Sequence, residues 1–216
     1  MCLVSFNMEF PKLQHPFTMV ISGPTGCGKT YFVRELLKYK EEMFSTIPDK
    51  VVWCYGIYQP LYNDIPNVTF VEGLPIKYQE YLGSNTLFII DDLMSECGND
   101  KRLTNLFTKG SHHLNLSVIF ITQNFFHKGK EMREVTLNAH YLILCKNRRD
   151  VSQIVHLGKQ LFPRHLKFFQ EVYEDATKKP FSYLFIDLRS ETPEELRLRT
   201  QILPNQVQYV YQMKHY

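Results

Sequence analysis

Three short stretches hold residues whose types and spacing suit phosphate chemistry. Residues 23–30 read Gly-Pro-Thr-Gly-Cys-Gly-Lys-Thr and match the pattern G-x-x-x-x-G-K-[ST]. In that pattern the glycines let backbone N–H groups cradle phosphates, the lysine reaches the outer two, and the last hydroxyl holds magnesium. Gly23, Pro24, Thr25, Gly26, Cys27, Gly28, Lys29 and Thr30 are therefore the expected binding residues for a nucleoside triphosphate such as ATP, with Thr30 on Mg2+. Asp91-Asp92 closes an apolar run. A carboxylate there can hold magnesium directly or through its waters, a task that falls to Asp91, while Asp92 is the natural group to orient or deprotonate an attacking water. Gln123, or Asn124 beside it, closes a second apolar run and is an uncharged side chain able to contact both a terminal phosphate and a lytic water.

Phosphoryl transfer spreads charge over the equatorial oxygens, so an arginine supplied in cis or by a neighbouring subunit can contribute greatly to rate. Arg148, Arg149, Arg133 and Arg102 are the candidates, and sequence alone does not choose among them. His112, His113 and His127 have no cysteine or carboxylate at ligand spacing, which argues against a histidine metal site. The stretch Phe125-Phe126-His127-Lys128-Gly129-Lys130 mixes aromatics, bases and a glycine, as a loop gripping a nucleic-acid backbone would.

These groups need elements to hold them. Phe17–Ser22 is an apolar run of strand type before the glycine-rich turn, and residues 31–43 carry Phe32, Leu36, Leu37 and Tyr39 at mostly helical spacing. Strands are expected over 51–55, 68–71, 86–90, 117–122, 141–145 and 183–188, with a possible edge strand over 196–203. Helical patterns cover 103–109, 151–161 and 163–176. Runs such as Thr-Leu-Phe-Ile-Ile at 86–90 are apolar without alternation after the first residue, as in parallel strands buried on both faces. Alternating strands and helices imply an α/β fold with a mainly parallel sheet flanked by helices. In such sheets ligands sit outside the carboxyl ends of the strands, where the phosphate loop, Asp91-Asp92 and Gln123 all fall.

The 216 residues suit one large domain, read as an extended segment over 1–16 crossing the sheet edge, a nucleotide-binding domain over 17–203 and a tyrosine-rich tail over 204–216. Net charge is +3, but residues 99–149 hold nine Lys or Arg against three acids, a local excess that a polyanion could meet. The five cysteines form no C-x-x-C pair, which fits a reducing intracellular compartment better than a disulfide frame or a zinc site. The first residues lack a basic start and a long apolar middle, and no apolar run approaches about 18 residues, so neither export nor membrane insertion is expected.

Together GPTGCGKT, VVWCYG, TLFIIDDL, LSVIFITQNFF and LNAHYLILCKNRRDVSQI resemble the FtsK/HerA superfamily. The likeness is greatest to its poxvirus-type branch of genome-packaging ATPases, found in large eukaryotic DNA viruses and in Maverick (Polinton) elements. The resemblance spans about residues 17–186. It implies an additional-strand P-loop core, with the Gln123 strand between the phosphate-loop strand and the Asp91 strand. It also implies an oligomeric ring that hydrolyses ATP to move double-stranded DNA into capsids, with capsid or portal protein as a further partner, in the host cytoplasm or nucleus. By the same resemblance Lys29 and Thr30 hold nucleotide and metal, Asp91 takes the metal, Asp92 the catalytic acidic place and Gln123 the sensor. The acidic place is often glutamate in relatives, which keeps Glu96 as a backup. Relatives also tend to carry an arginine before the Gln123 strand where this chain reads Lys109-Gly110-Ser111-His112-His113, leaving Lys109 or Arg148 to substitute. Two other classes compete: a P-loop nucleoside or nucleotide kinase, and a nucleotide-gated DNA-binding assembly factor with little hydrolysis.

Overall fold

A computed structural model of the chain describes residues 2–5, 11–93, 101–110, 114–125 and 130–213. In chain order the strands are β1 (Cys2–Ser5), β2 (Thr18–Ser22), β3 (Lys50–Tyr55), β4 (Thr69–Glu72), β5 (Thr86–Asp91), β6 (Leu116–Thr122), β7 (Tyr141–Cys145), β8 (Tyr183–Asp187), β9 (Leu198–Thr200) and β10 (Tyr209–Gln212). The helices are α1 (Lys29–Lys38), the single turn α2 (Lys40–Met43), α3 (Lys101–Asn105), α4 (Lys130–Leu137), α5 (Ser152–Leu161) and α6 (Leu166–Ala176). A π-helical turn, Leu106–Gly110, continues α3.

The strands form one sheet in the order β1-β10-β9-β8-β7-β2-β6-β5-β3-β4. From β7 to β4 every neighbouring pair is parallel, so the carboxyl ends of six strands share one edge. From β7 through β8, β9 and β10 to β1 every pair is antiparallel. The Gln123 strand, β6, lies between the phosphate-loop strand β2 and the Asp91 strand β5, the insertion that the sequence resemblance implied.

Apolar runs became central strands because both faces of the sheet are covered. Within β5, Leu87 and Ile89 belong to one buried cluster and Phe88 and Ile90 to the other. The first cluster takes Phe32, Val33 and Leu36 from α1; the second takes Leu103 from α3, Val135 from α4, Ile154 and Leu157 from α5, and Phe169 and Val172 from α6. At about 1.5–3 kcal/mol for each large side chain buried, these residues fix β5 and its neighbours in register, and with them the loops at their ends. No helix among the described residues is long and apolar enough to cross a membrane.

Several elements differ from their sequence pattern. The strand expected at an edge over 196–203 is β9, which lies inside the sheet between β8 and β10. Residues 209–212 pair with residues 2–5 and 199–200, so the tyrosine-rich stretch adds a strand. Helix α4, for which no helical pattern is expected, contributes Val135 to the core.

Candidate nucleotide site

The phosphate loop leaves β2 at Ser22 with the Gly23 N–H donating to the Thr122 carbonyl at 3.2 Å, which prolongs the β2–β6 pairing by one rung. A β-carbon on Gly23 would stand 2.6 Å from Cys145 Cβ and 2.7 Å from Cys27 Sγ, closer than side chains approach, so this position requires glycine. At the other end Gly28 caps α1 at φ 96°, a left-handed conformation that glycine adopts without steric cost. The free N–H groups of the first turn of α1 thus face the space enclosed by the loop. Lys29 runs back along the loop, its Nζ donating to the carbonyls of Gly23 at 2.7 Å and Pro24 at 3.0 Å. The Cys145 thiol, and after it the Lys29 charge, hold the Cys27 thiol down to about 7 against the opposing effect of burial.

Asp91 is the last residue of β5, opposite Tyr55 of β3 and Ile121 of β6. Its Oδ2 accepts from Tyr62 Oη at 3.0 Å and from Thr30 Oγ1 at 3.4 Å. Burial raises the Asp91 carboxyl above its usual range, while the Tyr62 and Thr30 hydroxyls and Lys29 pull the other way. Tyr62 stands on a 3-10 turn, Pro60–Asp64, where its ring packs on Trp53 at 5.3 Å and stacks on Phe70 at 5.0 Å. Burial first, then the Asp91 charge, push its phenol up, which keeps the hydroxyl a proton donor. Sequence reading did not single out Tyr62; the only sign was a proline-led turn after β3.

Beyond Asp91 the backbone turns left-handed, with Asp92 at φ 55°. Aspartate tolerates that region better than most residues. The turn separates the two carboxylates: Asp91 is buried, whereas Asp92 is exposed and both its oxygens accept from Gln123 Nε2, at 3.1 and 3.3 Å. Gln123 rather than Asn124 is therefore the side chain that meets Asp92. Thr25, Gly26, Gly28, Lys29, Thr30, Asp91, Asp92 and Gln123 line one cleft of about 260 Å³.

The basic candidates separate. Arg148 and Arg149, in the loop after β7, line a second and larger groove of about 790 Å³ that also touches Pro24, Thr25, Cys27 and Gln123. Arg102 instead donates from Nη1 to the Leu74 carbonyl at 2.9 Å, and Arg133 is exposed on α4. Phe125, expected in a nucleic-acid loop, is 4% exposed inside the core, and a ring so placed is out of reach of any strand. Residues 126–129 of that loop, Glu96, His112 and His113 lie outside the described residues, as does the side chain of Lys109.

No family model matches the sequence, and no curated protein matches it. Solved structures do match the fold. The genome-packaging NTPase B204 of Sulfolobus turreted icosahedral virus 2, in complex with ATP-gammaS, superposes with a TM-score of 0.52 at 16% identity over 82% of this chain and 94% of that one. B204 of Sulfolobus turreted icosahedral virus, a DNA-packaging ATPase, gives a TM-score of 0.54 at 12% identity, covering 93% of this chain and 100% of that chain. This is the fold of the P-loop NTPases. The cytoplasmic domain of the type VII secretion ATPase EccC from Thermomonospora curvata shares it, with a TM-score of 0.53 at 11% identity over 82% of this chain and 24% of that one. The neighbours thus include a viral packaging NTPase, the kind of protein that the motifs of this P-loop chain resemble.

Proposed function

We propose that the protein binds and hydrolyses ATP with magnesium and uses the energy to move double-stranded DNA into a viral capsid as an oligomeric ring. One observation carries the nucleotide reading: β6 is inserted between β2 and β5, so that Lys29 and Thr30, Asp91 and Asp92, and Gln123 meet in a single cleft. Lys29 is the group for the outer phosphates. Thr30 and Asp91 suit magnesium, since both offer hard oxygen donors and converge at 3.4 Å, and Asp91 is a buried carboxylate whose hydrogen-bond partners are hydroxyls. Magnesium, when bound, supplies charge neutralisation for the phosphate oxygens.

The chain's own residues do the rest. Asp92 is open to the cleft and can take the proton of an attacking water, and Gln123, held on both Asp92 oxygens, can orient that water against the terminal phosphate. Arg148 stands on the groove that meets Thr25 and Gln123, from where it can add charge stabilisation within its own subunit or to a neighbour. The fold shared with packaging NTPases supports the motor assignment; ring assembly, a capsid or portal partner, and action inside the host cell are parts of the same proposal.

The test is ATP hydrolysis by the purified protein with and without long double-stranded DNA, beside Lys29→Ala and Asp92→Asn. DNA should stimulate turnover. Lys29→Ala should abolish nucleotide binding, and Asp92→Asn should keep binding while turnover falls about 10²–10⁴-fold. Phosphorylation of a nucleoside or nucleotide acceptor without any DNA effect would overturn the motor.

A further inference from the structure

The segment joining α6 to β8 carries a feature that folding alone does not explain. Lys179-Pro180-Phe181-Ser182 forms a tight turn, closed by the Ser182 N–H donating to the Lys179 carbonyl at 3.2 Å and braced by Ser182 Oγ on the same carbonyl at 2.7 Å. Proline takes the second place and Phe181, at φ 60°, the third. That third place, in a turn of this hand, favours glycine or asparagine, and a bulky side chain there is strained. Burial does not offset the strain, because Phe181 is 72% exposed.

The position of the ring is specific. Phe181 Cδ1 lies 3.3 Å from where a β-carbon on Gly28 would stand, so the ring rests against the last residue of the phosphate loop. The next residues anchor it: Tyr183 packs edge-on against Phe32 of α1 with ring centroids 4.9 Å apart. The groove of about 790 Å³ opens beside the ring, lined by Pro24, Thr25 and Cys27 of the loop, by Lys146 and by Lys178 and Lys179. It meets the 260 Å³ cleft at Thr25 and Gln123.

In the nucleotide reading above, the terminal phosphate lies toward Asp91, Asp92 and Gln123 on the β5–β6 side of the loop. A phosphate chain laid along the loop from there would put the nucleoside on the opposite, β7–β8 side. That is where Phe181 stands. We propose that Phe181 is the platform on which the nucleobase of the bound triphosphate stacks, a ligand contact contributed by the antiparallel half of the sheet. The proposal rests on the nucleotide-binding reading above. A π-face accepts any base, so the platform sets affinity rather than the choice between adenine and guanine.

The strain supplies the test. Phe181→Gly relaxes the turn, so it should melt at the wild-type temperature or above. It should also bind Mg-ATP about 5- to 150-fold more weakly, the usual worth of one base–aromatic stack. Inorganic tripolyphosphate, which has no base, should bind wild type and Phe181→Gly within about two-fold of each other. Phe181→Trp should restore ATP affinity. Equal weakening for ATP and tripolyphosphate, or unchanged ATP affinity, would overturn the platform. Lys29→Ala separates the two readings. If it loses both ligands while Phe181→Gly loses neither, only the platform fails; if wild type binds neither, both readings fail.

Discussion

Asp91 and Asp187 each close a β-strand and each is almost out of reach of solvent, at 3% and 2% exposure, but their partners differ. Asp187, at the end of β8 in the antiparallel half, accepts from Arg199 Nη2 at 2.5 Å, and the guanidinium also lies 4.5 Å over the Phe185 ring. Asp91, at the end of β5 in the parallel half, accepts from two neutral hydroxyls. A buried carboxylate with a full positive charge beside it is finished, and serves to hold β8 to β9. One held by hydroxyls at a cleft, with the Lys29 charge acting on it but no ion pair made to it among the described residues, still has lone pairs to offer a divalent cation. The same residue type at the same depth is thus structural in one half of the sheet and a candidate ligand in the other.

Three substitutions would break or sharpen that contrast. Asp187→Ala removes the carboxylate that faces a buried guanidinium and should cost about 3–5 kcal/mol in urea unfolding, with the phosphate loop left intact. Asp91→Asn should do the reverse, lowering hydrolysis by about 10²-fold or more while stability in magnesium-free buffer stays within about 1 kcal/mol of wild type or rises. A loss of stability as large as that of Asp187→Ala would erase the distinction. Tyr62→Phe removes one donor from Asp91 and should cost about 1–2 kcal/mol in urea unfolding without magnesium, well short of Asp187→Ala. Magnesium with ATP should recover part of it, because a cation takes over the task of satisfying the carboxylate.

The parallel half was legible in the sequence for a physical reason. Strands covered on both faces must be apolar throughout, so Thr86–Ile90, Ser117–Thr122 and Tyr141–Cys145 stand out. Their polar ends then mark the ligand edge, and Asp91, Asp92, Gln123 and the phosphate loop do meet there. Elements set by distant partners did not stand out. Nothing local in Cys2–Ser5 or Tyr209–Gln212 indicates that they pair with each other. Tyr62 and Phe181 escaped notice because each sits on a turn, where composition signals the break in regular structure and is silent on where the side chain goes. Phe125 misled in the opposite direction, since aromatics next to bases look the same whether the ring faces solvent or the core.

The position of β2 also constrains how the chain is made. The strand that bears the phosphate loop is finished by Ser22, yet its two neighbours are Leu116–Thr122 and Tyr141–Cys145. During synthesis it therefore waits, unpaired on one edge until residue 122 and on the other until residue 145 has left the ribosome. Closure over such separations is slow, because chain entropy is lost before any contact rewards it. β1 waits longer, for β10. The nascent chain therefore exposes an apolar strand edge from residue 22 until residues 122 and 145 have emerged, and the period in which it is open to aggregation is set by strand order.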